Sequence, residues 1–278
     1  MPLGLRMSLD PLQVRIIGLL KHRRSRHSFV GGSSVFNETY PRMSDDLDIY
    51  AEDVAIPTIA EADLACLASG GLRISERFDH YGLAIEAIVS DGISKSLIEW
   101  SEADRERFFP VQPHATFGWT LHKSDLAVQK LIAAATRHKA RDSYDLTLID
   151  ERYMGLSIAA LAAPAKLKGI SPIAILERAR AIAMGIPTDD FDLIRRDGAE
   201  QALSAGAIKL DFADRVERAI NEIVGSCSGA VAGLLYVNAS SGQHEFPTCE
   251  TIGTLVAHKA TPRGAIPVFA ALRATERG

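Results

Sequence analysis

The sequence has little cysteine. Cys66, Cys227 and Cys249 are its three, far apart and without CxxC or Cys/His spacing. That argues against a zinc site and against a disulfide framework, and it suits a reducing cytosol. No charge of one sign dominates. The formal net charge is −4 over 278 residues, so the chain as a whole is not a strongly basic nucleic-acid binder, although a local basic patch is compatible with it. No run of about 18 apolar residues occurs, so no membrane span is expected. The apolar stretch from Gly229 to Val237 is too short to cross a bilayer. The N-terminus has no long apolar stretch after a basic start, so no signal peptide is expected and the expected location is the cytoplasm. There is no internal repeat and no low-complexity block. What the chain does have is 47% hydrophobic residues, enough to bury one large or two small cores.

Local signals organise the first half. Asp10-Pro11 reads as the start of a helix running to about Arg24, with Asp10 as N-cap. Lys21, Arg23, Arg24 and Arg26 then form either a solvated helix end or a small patch facing a phosphate-bearing substrate. Ser28-Phe29-Val30 is short and apolar, Gly31-Gly32-Ser33-Ser34 is a turn, and 35–40 reads as a short helix. Asp46-Leu47-Asp48-Ile49-Tyr50 alternates as a strand does. A helix over 59–69 and strands over 72–78 and 83–89 follow; residues 92–122 are hard to read, with Phe108, Phe109 and Phe117 suggesting packed loops or short strands. From about Ser124 the pattern is helical: 126–137, 143–153, a helix capped by Ser171-Pro172 and closed by Gly185, and an amphipathic helix over 211–224. Residues 227–278 read as a loosely organised tail with one strand over 234–237. The expected division is 1–122, 123–226 and 227–278.

Asp46 and Asp48 lie two apart on a strand, so both carboxylates project from one face. Like charges so close are unfavourable unless a cation lies between them, and Mg²⁺ takes one or two carboxylates plus substrate phosphates. Leu47 and Ile49 would point into the core, and Ser44 would share the face of Asp46. Upstream, Gly31-Gly32-Ser33 can bring backbone N–H groups close to a phosphate, or simply turn the chain. Glu86 interrupts an apolar strand. It must either face water at an edge or serve a site, because a buried unpaired carboxylate is costly. Asp79 competes less well, since Asp79-His80-Tyr81-Gly82 reads as a turn.

Lys130 has apolar neighbours one turn away at Leu126 and Ala134. It must find an anionic partner or snorkel to the surface. Arg141, Asp142 and Asp145 fall on adjacent helical turns, where an intrahelical ion pair explains some of them.

The segment FVGGSSVFNETYPRMSDDLDIY, residues 29–50, resembles the nucleotidyltransferase superfamily signature: Gly-Gly or Gly-Ser, a spacer, and a hydrophobic-flanked Asp-x-Asp. More narrowly it is similar to the AbiEii/AbiGii-type toxin family through Gly31, Gly32, Ser33, Arg42, Ser44, Asp46 and Asp48. Ser33 replaces that family's Thr. Residues 124–148, SDLAVQKLIAAATRHKARDSYDLTL, are similar to a second block of the family through Asp125, Leu126, Lys130, Arg137, Arg141, Asp142 and Asp145. The resemblance implies an α+β fold: a nucleotidyltransferase-like mixed β-sheet flanked by helices, followed by a helical C-terminal region. It implies transfer of an NMP from an NTP to an acceptor, tRNA or protein, with two Mg²⁺ ions held by Asp46, Asp48 and Glu86. Gly31, Gly32, Ser33, Ser44, Lys130 and Asp142 would bind the nucleotide, Asp142 being favoured over Asp145. It also implies the toxin of a toxin–antitoxin or phage-defence system, with a cognate antitoxin as partner and no membrane. Two other classes share these residues: a non-catalytic nucleotide- or partner-binding module, and an aminoglycoside-type nucleotidyltransferase.

Overall fold

The computed structural model describes residues 9–38, 40–196, 203–226 and 229–267. The chain divides into two compact units. The first contains Met1–Asp104, Val111–Leu126 and Arg195–Gln201. It opens with α1 (Pro11–Leu20) and a 3₁₀ turn, Lys21–Arg23. The Asp10 carboxylate accepts from Gln13 N–H at 2.8 Å, and the Gln13 side chain accepts from Asp10 N–H at 3.2 Å. This reciprocal capping box fixes the start that the sequence signalled. Next come β1 (Ser28–Gly31), α2 (Gly32–Asn37), β2 (Asp46–Ala51), α3 (Ile56–Ser69), β3 (Arg73–Asp79), β4 (Ala84–Ser90) and β5 (Lys95–Glu102). The segment carrying β6 (Glu106–Arg107) belongs to the second unit; β7 (Gln112–His114) and β8 (Gly118–Thr120) return to the first.

Among the described residues these strands form a sheet ordered β3-β4-β5-β2-β1-β8-β7. β2 runs parallel to β5, and β1 to β8; the other neighbours are antiparallel. Strand alternation sorts its two faces. Leu47 and Ile49 of β2, Ile98 and Trp100 of β5, and Ile85, Ala87 and Val89 of β4 are buried on one face. There α1 packs on β5, and α3 packs on β4 and β5. Asp46, Asp48, Glu99 and Glu86 alternate with these residues and stand half-buried on the opposite face.

The second unit contains Arg105–Pro110, Ala127–Ile194 and Ala202–Gly278. The division therefore falls inside α4 (Lys123–Thr136) rather than at residue 122, and two short segments are exchanged. α5 (Ala140–Arg152), α6 (Leu156–Ala162), α7 (Pro172–Gly185), α8 (Thr188–Asp192) and α9 (Ala205–Val224) follow. Ser171 caps α7 as expected, its hydroxyl accepting from Ala174 N–H at 3.1 Å. α9 starts at the Ser204 cap, earlier than its apolar period suggested, and buries Ala205, Ile208, Phe212, Val216 and Ala219. That stripe at spacings of three and four packs against α5, α6, α7 and α8.

The C-terminal segment is more ordered than its composition suggested. β9 (Leu234–Asn238) pairs antiparallel with β10 (Leu255–Lys259), and β11 (Thr261–Pro262) pairs with β6. Buried His258 supports this pairing: its Nε2 lies 2.6 Å from the Phe108 carbonyl and 2.9 Å from the Ala265 carbonyl. Two carbonyls can share one ring N–H, so Nε2 carries the proton. Of the expected tail, 227–228 and 268–278 lie outside the described residues. Among the described residues no helix is long and apolar enough to cross a membrane.

Candidate active site

The acidic face of the first unit is built around the junction of β1 and α2. Gly31 ends β1 as the register partner of Asp48 on β2. Gly32 follows with φ +64°, a left-handed conformation that glycine adopts without strain. A Cβ built on Gly32 would lie 2.6 Å from Asp48 Cγ and overlap its Oδ2. The carboxylate thus rests directly against the Gly32 backbone. Ser34 Oγ donates to the Gly31 carbonyl at 3.1 Å and closes the turn. Ser33, the second residue of α2, is buried. The helix expected over 35–40 therefore begins at Gly32, directly at the turn.

Asp46 and Asp48 stand on the same face of β2, with Leu47 and Ile49 buried on the other. Ser44 does not join that face. It is fully buried, and its Oγ donates to the Asp46 carbonyl at 2.9 Å. Its own carbonyl accepts from Gln13 Nε2 of α1 at 3.1 Å. Ser44 therefore shapes the entry into β2.

The third carboxylate is where the structure departs most from expectation. Glu86 is on β4, and β5 lies between β4 and β2. Its register partner is Glu99, and Glu99 is in turn the register partner of Asp48. The row across the sheet is Gly31, Asp48, Glu99, Glu86, Phe78. Neighbouring strands are about 4.8 Å apart, so Glu99 is one strand from Asp48 and Glu86 two. Glu86 stands 3.5 Å from His80 Nε2 with its side chain 32% exposed. It is thus neither at a sheet edge nor beside the aspartates. Glu99 was missed because 92–122 gave no readable period. A signal was present: Leu97-Ile98-Glu99-Trp100-Ser101 sets one acid among strand formers, as Glu86 does on β4.

The second block passes from the first unit into the second at Ala127, and its later residues form a charge network. Lys130 is buried, and its Nζ is 3.0 Å from Asp142 Oδ1 and 3.0 Å from Asp145 Oδ2. Arg137 adds Nε to Asp142 Oδ2 at 2.7 Å and Nη2 to Oδ1 at 2.9 Å. The partners of Asp142 thus come from α4 and its end, across the turn into α5, and not from its own helix. Burial alone would raise the Asp142 pKa; the Lys130 charge and the Arg137 hydrogen bonds outweigh it and hold the carboxyl well below its usual range. Both Asp142 and Asp145 engage Lys130, so the geometry does not separate them.

In the basic run after α1, Arg23 and Arg26 are exposed, as a solvated helix end would be, and Arg24 has a role that neither reading gave it. Arg24 is buried with its Nη2 2.5 Å from Asp63 Oδ1 and 2.6 Å from Oδ2. Asp63 also accepts from Arg23 Nε and Trp100 Nε1, each at 2.9 Å. This cluster ties the 3₁₀ turn to α3 and β5 beneath the sheet.

Asp46 and Asp48 present two carboxylates on one face of β2, and Glu99 stands on the same face of the sheet one strand away. Among the described residues no three His, Cys, Asp or Glu side chains gather closely enough to hold a metal ion by themselves. A pair of carboxylates fits Mg²⁺, which completes its shell with waters and substrate phosphates.

No protein-family model and no curated protein matches the chain. Among solved structures it is similar to the nucleotidyltransferase toxin MenT4 from Mycobacterium tuberculosis H37Rv. The TM-score is 0.46 at 13% identity, covering 76% of this chain and 82% of that one.

Proposed function

We propose that this chain is a Mg²⁺-dependent nucleotidyltransferase that moves an NMP from an NTP to an acceptor. The observation that carries the reading is the seating of the Asp48 carboxylate against the Gly32 backbone, with Asp46 on the same face. Asp46 and Asp48 would hold the metal ions. Bound there, Mg²⁺ supplies electrostatic stabilisation of the attacking and leaving oxygens. The Gly31-Gly32-Ser33 turn would receive the triphosphate through backbone N–H groups, bringing the phosphates beside the carboxylates. Glu99 takes the place expected of Glu86 as proton acceptor: one strand from Asp48, it would accept the proton of the acceptor hydroxyl. In the reaction the acceptor oxygen bonds to the α-phosphorus, the bond to the β-phosphate oxygen breaks, and pyrophosphate leaves.

The acceptor class we favour is tRNA or protein, in a toxin–antitoxin or phage-defence setting; this rests on the sequence resemblance of residues 29–50 and 124–148. Labelled NTPs incubated with Mg²⁺ and, separately, total tRNA, a protein extract and aminoglycosides test the reading. Label on RNA or protein supports it, and label on the drug assigns the small-molecule class. The other reading, from the same sequence resemblance, is a nucleotide-binding module without chemistry. Tight Mg²⁺·NTP binding with no transfer to any acceptor would select that module.

A further inference from the structure

Arg195 stands far along the chain yet belongs to the first unit, where it meets the residues leading into Asp46. Its carbonyl accepts from Met43 N–H at 2.9 Å. Its Nη2 donates to the Ser44 carbonyl at 2.7 Å and lies 3.4 Å from Asp45 Oδ1. Beside it, Arg196 bridges Arg42 in antiparallel fashion, and Arg42 Nη1 donates to the Met43 carbonyl at 2.8 Å. The Ser44 carbonyl also accepts from Gln13 Nε2, so both of its lone pairs are engaged by side chains from distant segments. From the same residue, Ser44 Oγ donates to the Asp46 carbonyl.

Asp46 is the first residue of β2, so the direction of its side chain depends on the segment before it. We infer that Arg195 is a positioning residue for Asp46, acting through the Ser44 carbonyl. This rests on the reading of Asp46 as a metal-holding carboxylate. Global stability is a poor explanation of the contact. The Arg195 side chain is 47% exposed and its carboxylate partner Asp45 is 40% exposed, a class of ion pair that contributes little to folding. The hydrogen bond to Ser44 has a local effect instead: it holds one peptide group in the lead-in to β2.

The test compares wild type, Arg195→Ala and Arg195→Lys by amide hydrogen exchange over residues 43–48 and by Mn²⁺ titration followed by electron paramagnetic resonance, with thermal melting as a check of folding. Arg195→Ala should speed exchange over 43–48, leave α3 unchanged, and weaken Mn²⁺ binding about tenfold, the usual effect of losing a group that orients a metal ligand. Arg195→Lys keeps one donor for the Ser44 carbonyl and should recover most of the exchange protection. Unchanged exchange over 43–48, or faster exchange with unaltered Mn²⁺ affinity, would overturn the inference. If exchange speeds up but wild type itself binds no Mn²⁺, the Arg195 contact stands and the metal reading of Asp46 fails.

Discussion

The Asp48 carboxylate occupies the space that a side chain at residue 32 would need. The two residues are far enough apart in sequence for a helix and a loop to lie between them. The fold closes that distance by ending β1 at the register partner of Asp48 and turning at once into α2. Glycine at 32 is therefore required twice, by its φ of +64° and by the carboxylate beside it.

Gly32→Ala should accordingly disable the site while sparing the fold. The left-handed backbone adds about 1–2 kcal/mol of strain, and the methyl displaces the carboxylate. Nucleotidyl transfer should fall by roughly a hundredfold or more, comparable to losing one electrostatic stabiliser. Steady-state rates alongside a thermal melt check this; unaltered transfer would show that Asp48 need not rest on Gly32.

Glu99 and Glu86 make a paired prediction. Glu99→Gln should lower transfer by roughly a hundredfold, and Glu86→Gln by no more than a few-fold, since catalytic acid–base groups contribute about that much. Measuring kcat for both variants at saturating NTP separates them. The reverse order would return the third-carboxylate role to Glu86.

The local geometry of this candidate site was legible in the sequence, and the reasons are physical. The Asp-x-Asp alternation on β2, the Gly-Gly turn and the Asp10 cap are local patterns, decided by residues within a turn or a strand. Strand order is not local. Nothing in residues 83–102 tells that β5 inserts between β4 and β2, yet that insertion replaces Glu86 with Glu99 beside Asp48. The partners of Arg24 and Lys130 were hidden for the same reason. Each is a buried cation whose carboxylate comes from another helix. Of the C-terminal strands, β9 was legible over 234–237, whereas β11 was obscured because its partner β6 is about as distant as the chain allows within the second unit.

The Lys130–Asp142–Arg137 network should leave a mark on acid stability. The Asp142 carboxyl titrates below its unfolded value of about 3.9, so its contribution is fully present above that pH and is lost as pH falls through the lower folded value. Wild type should therefore lose stability on acidification below about pH 4, and Asp142→Asn should lose less of it over that range. Urea denaturation at a series of pH values measures both slopes. Parallel slopes would mean that the network does not set the Asp142 titration.

Asp63→Ala should be the most damaging change under the sheet. It leaves Arg24 buried without its carboxylate and removes the acceptor of Trp100 Nε1. Breaking a buried pair on one side costs about 3–5 kcal/mol. Chemical denaturation followed by tryptophan fluorescence would report it, and a loss below about 1 kcal/mol, the range of an exposed pair, would contradict the account.

The most direct test of the central claim is Mg²⁺-dependent transfer of labelled NMP by wild type and by Asp46→Ala and Asp48→Asn, each confirmed as folded. The account predicts transfer by wild type and a loss of at least roughly a hundredfold in each variant. Transfer that persists in Asp46→Ala, or that does not depend on Mg²⁺, would contradict it.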